Sequence, residues 1–380
     1  MCQLSIIIPT YNERVNVRLI VNRIVQALSD NPIDYEILFI DDSRDDTPDV
    51  LKELASLFPQ VRYLHRENAK GLGTAVVEGF QLSRGRHLIV MDADLQHPPE
   101  LIPLIYHRLS EIDVVIPSRF IQGGSDGGLN WLRKFVSWTA RSIGRIFIKK
   151  TRNISDCTGG FFGLNRDVIE KVALDPIGWK ILMEILVKGN YRTVHEIPYS
   201  FVARDSGESK MSINEQWNYL RHIARLMLRS PDDRRFYLFC FVGILGVIVN
   251  LFVFTILVNL LAIPSLLASA VASIVAMLHN FVWHDKLTWK DYSKTKLSER
   301  ILQFPKFMVI STLGIALTTS FVQLFIMNEW NIYLGQTAGI IVGTLWNYFA
   351  NKKWTWSNPS KKRNTRDILV TQEIGQQNSF

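Results

Sequence analysis

His87-Leu88-Ile89-Val90-Met91-Asp92-Ala93-Asp94-Leu95-Gln96 joins an apolar run to two carboxylates spaced two residues apart. The run reads as a buried parallel strand. In open α/β sheets, ligands gather outside the carboxyl ends of such strands, where Asp92 and Asp94 would stand. Two hard oxygen donors with the Gln96 carbonyl beside them suit Mg²⁺ or Mn²⁺ clamped on a diphosphate. An isolated Asp-x-Asp would be a solvated acidic turn, but other strand ends in this chain also carry polar clusters.

Outward from that stretch, residues 1–120 alternate strand and helix. Ser5-Ile6-Ile7-Ile8-Pro9 reads as a strand, and 13–29 as an amphipathic helix with Ile20, Val21, Ile24, Val25 and Leu28 on one face. Strand 36–41, a helix near 48–57, a short strand 61–64, a helix opening at Gly71 and a strand 113–117 complete the pattern. This alternation predicts an α/β fold with a mostly parallel sheet and right-handed crossovers. Gly71-x-Gly73 does not continue as G-x-G-x-x-G and is no dinucleotide fingerprint. Pro9-Thr10-Tyr11-Asn12-Glu13 and Asp41-Asp42-Ser43 close the first two strands and place two more polar clusters on the same rim as Asp92.

The 380 residues are 47% hydrophobic, unevenly spread, with a net charge of +8. Four apolar segments, 236–261, 265–283, 304–327 and 332–350, each approach the ~20 residues needed to cross a bilayer. The connections at 262–264 and 328–331 carry no Lys or Arg, whereas 221–235, 284–300 and 352–366 are rich in both. The excess charge therefore follows membrane topology rather than nucleic acid, and the positive-inside rule predicts a multi-pass protein with both termini cytoplasmic. Cys2, Cys157 and Cys240 are too dispersed for a disulfide framework or a metal site. The N-terminus has no basic n-region and reads as a strand rather than a signal peptide. Helices over 130–150 and 215–229 interleave Trp131, Phe135, Trp138 and Trp217 with arginines, a pattern that suits a bilayer surface as well as a domain core.

The expected organisation is a domain over 1–214, an amphipathic juxtamembrane helix and linker over 215–235, an all-α membrane domain over 236–356 and a polar cytoplasmic tail over 357–380. The membrane domain is duplicated. Asn280, Lys286, Thr288 and Trp289 recur as Asn347, Lys353, Thr355 and Trp356, and Phe239 and Gly246 recur as Phe307 and Gly314.

Seven motifs in order, 8–13, 41–47, 71–75, 91–98, 118–120, 156–161 and 204–210, resemble the family 2 glycosyltransferases of the GT-A fold, and in particular the polyprenyl-phosphate sugar transferases typified by dolichol-phosphate mannose synthases. Segment 236–356 resembles the GtrA-type four-helix domain. One departure is Asp46-Thr47 where the family usually reads Asp-Gly-Thr. The resemblance implies a nucleotide sugar bound by Pro9, Tyr11, Glu13, Phe39 and Asp41, with Asp92, Ala93, Asp94 and Gln96 around the diphosphate and a Mg²⁺ or Mn²⁺ held by Asp92, Asp94 and Gln96. It gives Asp92, Asp94 and Arg119 catalytic roles. Arg119, Arg133, Arg204, Ser209 and Lys210 would meet a polyprenyl phosphate, with Arg204 and Lys210 also within reach of the nucleotide sugar. The implied reaction is inverting transfer of one sugar, from GDP-mannose or alternatively UDP-glucose, at the cytoplasmic membrane face. A lipid-linked sugar flippase with a binding-only soluble domain is the alternative of a different class, and the intact Asp92/Asp94/Gln96 set argues against it. A processive polysaccharide synthase would carry a Q-x-x-R-W motif, which is not found. His97, beside Pro98, reads as a structural turn residue.

Overall fold

Leu4-Ser5-Ile6-Ile7-Ile8 is rich in β-branched residues that fit a pleated surface, and side chains alternate faces along a strand. Leu4, Ile6 and Ile8 accordingly enter one hydrophobic cluster and Ile7 the other. The same division holds for Ile89 and Met91 against Leu88 and Val90. The central strands are therefore covered on both faces. The computed structural model describes residues 2–67, 71–127, 131–201, 213–292, 297–356 and 369–372. They form two units, Met1–Arg229 with Arg366–Phe380, and Ser230–Thr365.

The first unit is built on strands β1 (Leu4–Thr10), β2 (Tyr35–Asp41), β3 (Val61–His65), β4 (His87–Val90), β5 (Val114–Ser118), β6 (Phe162–Asn165), β7 (Thr193–Pro198) and β8 (Leu369–Gln372). They form one sheet in the order β3-β2-β1-β4-β6-β5-β7-β8. Only β6 runs antiparallel to its neighbours β4 and β5. Helices α1 (Asn16–Leu28), α2 (Thr47–Leu57) and α4 (Ile102–Arg108) cover one face through Ile20, Ile24, Leu51 and Ile105. Helices α3 (Leu72–Leu82), α5 (Trp131–Phe147), α6 (Ile181–Lys188) and α7 (Ile213–Arg229) cover the other. The expected mostly parallel α/β sheet is what forms.

The structure adds to that expectation in two places. The juxtamembrane helix α7 buries Tyr219, His222, Ile223 and Leu226 in the core of the first unit and leaves Trp217, Leu220 and Leu228 exposed. It therefore packs on the domain with one face and keeps an apolar surface on the other. Segment 369–372, within the expected tail, is an edge strand in parallel register with β7, and His195 Nδ1 lies 2.9 Å from Thr371 Oγ1.

The second unit consists of α8 (Pro231–Asn259), α9 (Ser265–Trp283), α10 (Leu297–Ile301), α11 (Gln303–Met327) and α12 (Ile332–Ala350). Three stretches, Asp233–Asn259, Leu267–Thr288 and Glu299–Met327, are long and apolar enough to cross a membrane. The expected count of four is not confirmed: α12 forms where expected, but Gln336, Asn347 and three glycines dilute its apolar character, and it does not join those three. The duplication is physical. A Cβ on Gly246 would lie 2.2 Å from Asn280 Oδ1, and one on Gly314 would lie 2.4 Å from Asn347 Nδ2. Buried Ala268, Ala272 and Ala276 of α9 correspond to buried Gly335, Gly339 and Gly343 of α12. Small residues at such spacing let helix backbones approach closely, which is how hairpins pack in lipid. Each hairpin ends in a π-helical turn, His284–Thr288 and Asn351–Thr355.

Candidate active site

The register of the sheet brings the carboxyl ends of its parallel strands to one rim. Thr10 of β1, Asp41 of β2 and His65 of β3 lie in register, and Ser118 of β5 pairs with Pro198 of β7. Asp41 is wholly buried. Its carboxylate accepts from Thr10 Oγ1 at 2.9 Å and from Ser43 Oγ, and lies 2.7 Å from His65 Nδ1. Asp42 accepts from Arg66 Nε at 2.6 Å in a two-pronged ion pair. Arg66 also reaches Thr74 Oγ1 at 3.2 Å and Glu78 at 3.3 Å, tying the ends of β2 and β3 to the start of α3. His65 and Arg66 belong to no motif noticed in the sequence.

At the end of β1, Tyr11 is exposed and Asn12 adopts φ 56°, a left-handed conformation that Asn tolerates better than most residues. Ser43 Oγ accepts from Asn12 N at 2.7 Å, and Glu13 accepts from Asn16 Nδ2 at 2.7 Å. Pro9 lies buried within β1, and the Phe39 side chain is fully buried in the core instead of opening on the rim.

Beyond β4 the chain turns through Leu95 at φ 61°. A leucine there costs about 1–3 kcal/mol, strain of a kind concentrated at functional sites. The turn lets Gln96 N donate to Asp94 Oδ1 at 3.2 Å, with Asp94 and Ala93 nearly buried and Asp92 about one-third exposed. A side chain at Gly160 would put its Cβ 2.6 Å from Asp92 Oδ2, so the chain at 160 must approach that carboxylate as bare backbone. His97 Nε2 is 3.3 Å from Asp92 Oδ2, and its Nδ1 is 3.2 Å from the Tyr199 hydroxyl. With the Tyr199 hydroxyl donating to Nδ1, the Nε2–H tautomer of His97 faces Asp92. His97 thus does more than shape a turn: packed against Phe161 and Phe201, it orients Asp92.

The donor set fits a divalent cation. Among the described residues no group of three His, Cys, Asp or Glu gathers as a closed metal cage. Mg²⁺ and Mn²⁺ do not require one, because one or two carboxylates complemented by substrate phosphate oxygens and water suffice. Asp92 and Asp94, with Gln96 adjacent, match that open arrangement.

Arg119, directly after β5, is mostly buried. Its Nε and Nη2 donate to the two carboxylate oxygens of wholly buried Asp156 at 3.0 and 3.3 Å, and its guanidinium lies 5.0 Å from the rings of both Phe120 and Phe201. Arg119 is therefore the counter-ion of an internal carboxylate as well as a rim cation. Two further cations converge there unanticipated. The Arg141 guanidinium sits 3.3 Å from the Phe120 ring centre, and Lys180 Nζ donates to the Thr158 carbonyl at 2.9 Å. Burial, then repulsion from Arg119, pushes the Lys180 ammonium down to about 8, partly offset by Asp156 and Asp92. Of the other expected phosphate ligands, Arg204, Ser209 and Lys210 lie outside the described residues, as does the side chain of Arg133 on α5.

Residues 5–173 match the profile of glycosyl transferase family 2, and 238–356 match the GtrA/DPMS transmembrane domain. A dolichol-phosphate mannosyltransferase of Pyrococcus furiosus is 39% identical over 359 residues, covering 93% of this chain and 99% of that protein. The chain belongs to glycosyl transferase family 2. It is accordingly a glycosyltransferase, and its second unit is a membrane domain of the GtrA/DPMS kind. A dolichol-phosphate mannosyltransferase of Saccharomyces cerevisiae is 33% identical over 233 residues, 58% of this chain and 86% of that one. Among solved structures, the mannosyl-3-phosphoglycerate synthase of Rubrobacter xylanophilus aligns with a TM-score of 0.47 at 19% identity, over 60% of this chain and 74% of that one.

Proposed function

We propose that the chain transfers a single mannose from GDP-mannose to a polyprenyl phosphate at the cytoplasmic membrane face, with inversion and with a divalent cation. The observation that carries this reading is the turn after β4, where a strained Leu95 holds Asp92 and Asp94 as an open pair of hard oxygen donors on the sheet rim. The 39% identity to a dolichol-phosphate mannosyltransferase across nearly the whole chain supports mannose and a lipid phosphate.

Asp92, Asp94 and Gln96 would hold Mg²⁺ or Mn²⁺, which when bound neutralises charge developing on the leaving nucleoside diphosphate. His97 keeps Asp92 oriented through Nε2–H. Tyr11, Asn12 and Glu13 at the end of β1, and Asp41 behind them, form the wall for the nucleoside. The nucleophile is an oxygen of the acceptor phosphate, which attacks the anomeric carbon opposite the diphosphate. The carbon–oxygen bond to the diphosphate breaks as the new one forms, which inverts the centre. A phosphate monoester with a second pKa near ~6 is already largely dianionic at neutral pH and needs no general base. That agrees with the structure, in which His65 and His97 are both engaged with carboxylates.

The membrane arrangement has its own support. β8 lies in the same sheet as β1–β7, which supports a chain that leaves and re-enters one compartment between Arg229 and Arg366. An even number of crossings satisfies that, and three does not. We therefore assign α12 as a fourth span despite its polar content, with the Lys- and Arg-rich flanks cytoplasmic. Purified protein given Mn²⁺, a polyprenyl phosphate and radiolabelled GDP-mannose or UDP-glucose tests the reading. Labelled lipid from GDP-mannose is expected; labelling only from UDP-glucose would refute the choice of sugar, and none from either would refute the activity.

A further inference from the structure

We propose that Arg141 and Lys180, together with Arg119, form a cationic pocket for the oxygens of a phosphoryl group, an inference that rests on the glycosyl-transfer reading above. The three reach the same place from separate elements: Arg119 follows β5, Arg141 projects from α5, and Lys180 immediately precedes α6. The Phe120 ring is shared by the two guanidiniums, 3.3 Å from Arg141 and 5.0 Å from Arg119.

Direct ion pairs among the described residues use only one of the three cations. Asp156 is the carboxylate in direct contact, and it accepts from Arg119 alone among these three. Glu196, the next acid inward, is directed at the backbone N–H groups of Ser155 and Asp156 at 3.0–3.2 Å. Asp92 is engaged by His97. Among the described residues Arg141 reaches only a carbonyl, Ser155 O at 3.4 Å, and its Nε is buried with no hydrogen-bond partner. Lys180 spends one N–H on the Thr158 carbonyl and pairs with no carboxylate among the described residues. A desolvated guanidinium N–H and an uncompensated ammonium are unfavourable until an anion arrives. The lowered pKa of Lys180 agrees with a cation held among cations.

The anion that fits is a phosphoryl group, since Arg offers a planar fork and Lys a point charge to its oxygens. Two phosphoryl groups visit this rim: the acceptor monoester and the diphosphate of the donor. We assign the pocket to the acceptor, because Asp92 and Asp94 already serve the diphosphate.

The test uses the full-length protein in detergent with Arg141→Met and Lys180→Met, which keep the aliphatic stems and remove the charge, and with Lys180→Arg as a rescue. Calorimetry measures farnesyl phosphate in one arm and GDP with Mn²⁺ in the other. Each Met variant is expected to weaken farnesyl phosphate binding about tenfold or more while Lys180→Arg recovers most of it, the scale of one charge-assisted hydrogen bond. Weakened GDP binding with unchanged farnesyl phosphate binding would assign the pocket to the diphosphate. Less than a twofold change in both arms for both Met variants would overturn the pocket. Binding is read without turnover, so a wild-type protein that transfers no sugar refutes the proposed function and leaves this test standing.

Discussion

Arg119 can act as counter-ion to Asp156, as a phosphate ligand, or as both, and a double-mutant cycle separates these roles. Arg119→Met strands the Asp156 carboxylate, which is wholly buried and accepts both prongs of the guanidinium at 3.0 and 3.3 Å. Removing one partner of a buried pair costs about 3–5 kcal/mol because the other charge is left uncompensated. Arg119 keeps 12% side-chain exposure, and Arg141 and Lys180 still project positive charge on Asp156, which favours the lower figure. About 3 kcal/mol in a unit of this size lowers its melting midpoint by roughly 6–12 °C. Asp156→Asn added to Arg119→Met removes the stranded charge, and most of that loss should be recovered. Acceptor affinity should not follow. The single and double variants should both require about tenfold more polyprenyl phosphate for half-maximal rate, with an unchanged nucleotide requirement. Thermal unfolding followed by near-ultraviolet circular dichroism and initial-rate kinetics on the same preparations provide both measurements. If the double variant regains wild-type acceptor dependence along with stability, Arg119 is purely structural and the phosphate assignment fails.

Asp94→Asn should lower turnover by about two orders of magnitude through weaker neutralisation of the leaving diphosphate, with little change in melting; full activity of the wild type in excess EDTA would contradict this. With Cys2, Cys157 and Cys240 replaced, a cysteine at Glu329 should react with an impermeant maleimide in intact cells and one at Lys290 should not; the reverse pattern would invert the topology. Thr371→Pro removes an N–H from β8, so amide exchange at Val194–Glu196 should accelerate while nucleotide binding persists, and unchanged exchange would mean that β8 does not pair in solution. The Cys157 thiol, pushed up to about 12 mainly by burial, should resist alkylation at pH 8 in the folded protein.

The rim was legible because its parts are local. A buried strand must be followed by a turn, and Asp92-x-Asp94, Asp41-Asp42 and Tyr11-Asn12-Glu13 each sit within a few residues of an unmistakable apolar run. What escaped were partners set by register and crossover. His65 meets Asp41 only because β3 pairs with β2, and Tyr199 meets His97 only because β7 pairs with β5 on the same edge. Arg141 and Lys180 look like ordinary charges on amphipathic segments until α5 and the segment before α6 close over Asp156. β6 was missed because Phe162-Gly163-Leu164-Asn165 is four residues long and interrupted by glycine, and β8 because Leu369-Val370 is too short an apolar run to signal a strand without its neighbour. Phe39, which the resemblance implies at the nucleotide, buries its side chain in the core, so any contact it makes there is through its backbone.

The duplicated membrane unit shows why an internal repeat need not stay symmetric in chemistry. Phe281, Trp356, Trp289 and Tyr348 form a continuous stack with successive centroid distances of 5.8, 5.7 and 5.7 Å. Phe281 and Trp289 belong to the first hairpin, and Tyr348 and Trp356 are their counterparts in the second. Each tryptophan therefore lies against a helix ring of the other hairpin, an exchange that ties the two hairpins together through aromatic contact. The polar ends of the tryptophans differ. Trp356 Nε1 donates to Asp285 Oδ1 at 3.1 Å, whereas the residue matching Asp285 in the second copy is Lys352, which cannot accept. Trp289 Nε1 is consequently buried without a partner among the described residues. Asp285 is also within 3.6 Å of Arg300 on α10, so the end of the first hairpin carries an acceptor with a counter-ion beside it, while the end of the second exposes Lys352 and Lys353. Packing constrains the stack and the glycine–asparagine contacts in both copies, whereas charge at the ends of the hairpins is free to diverge, and there the two halves have become different.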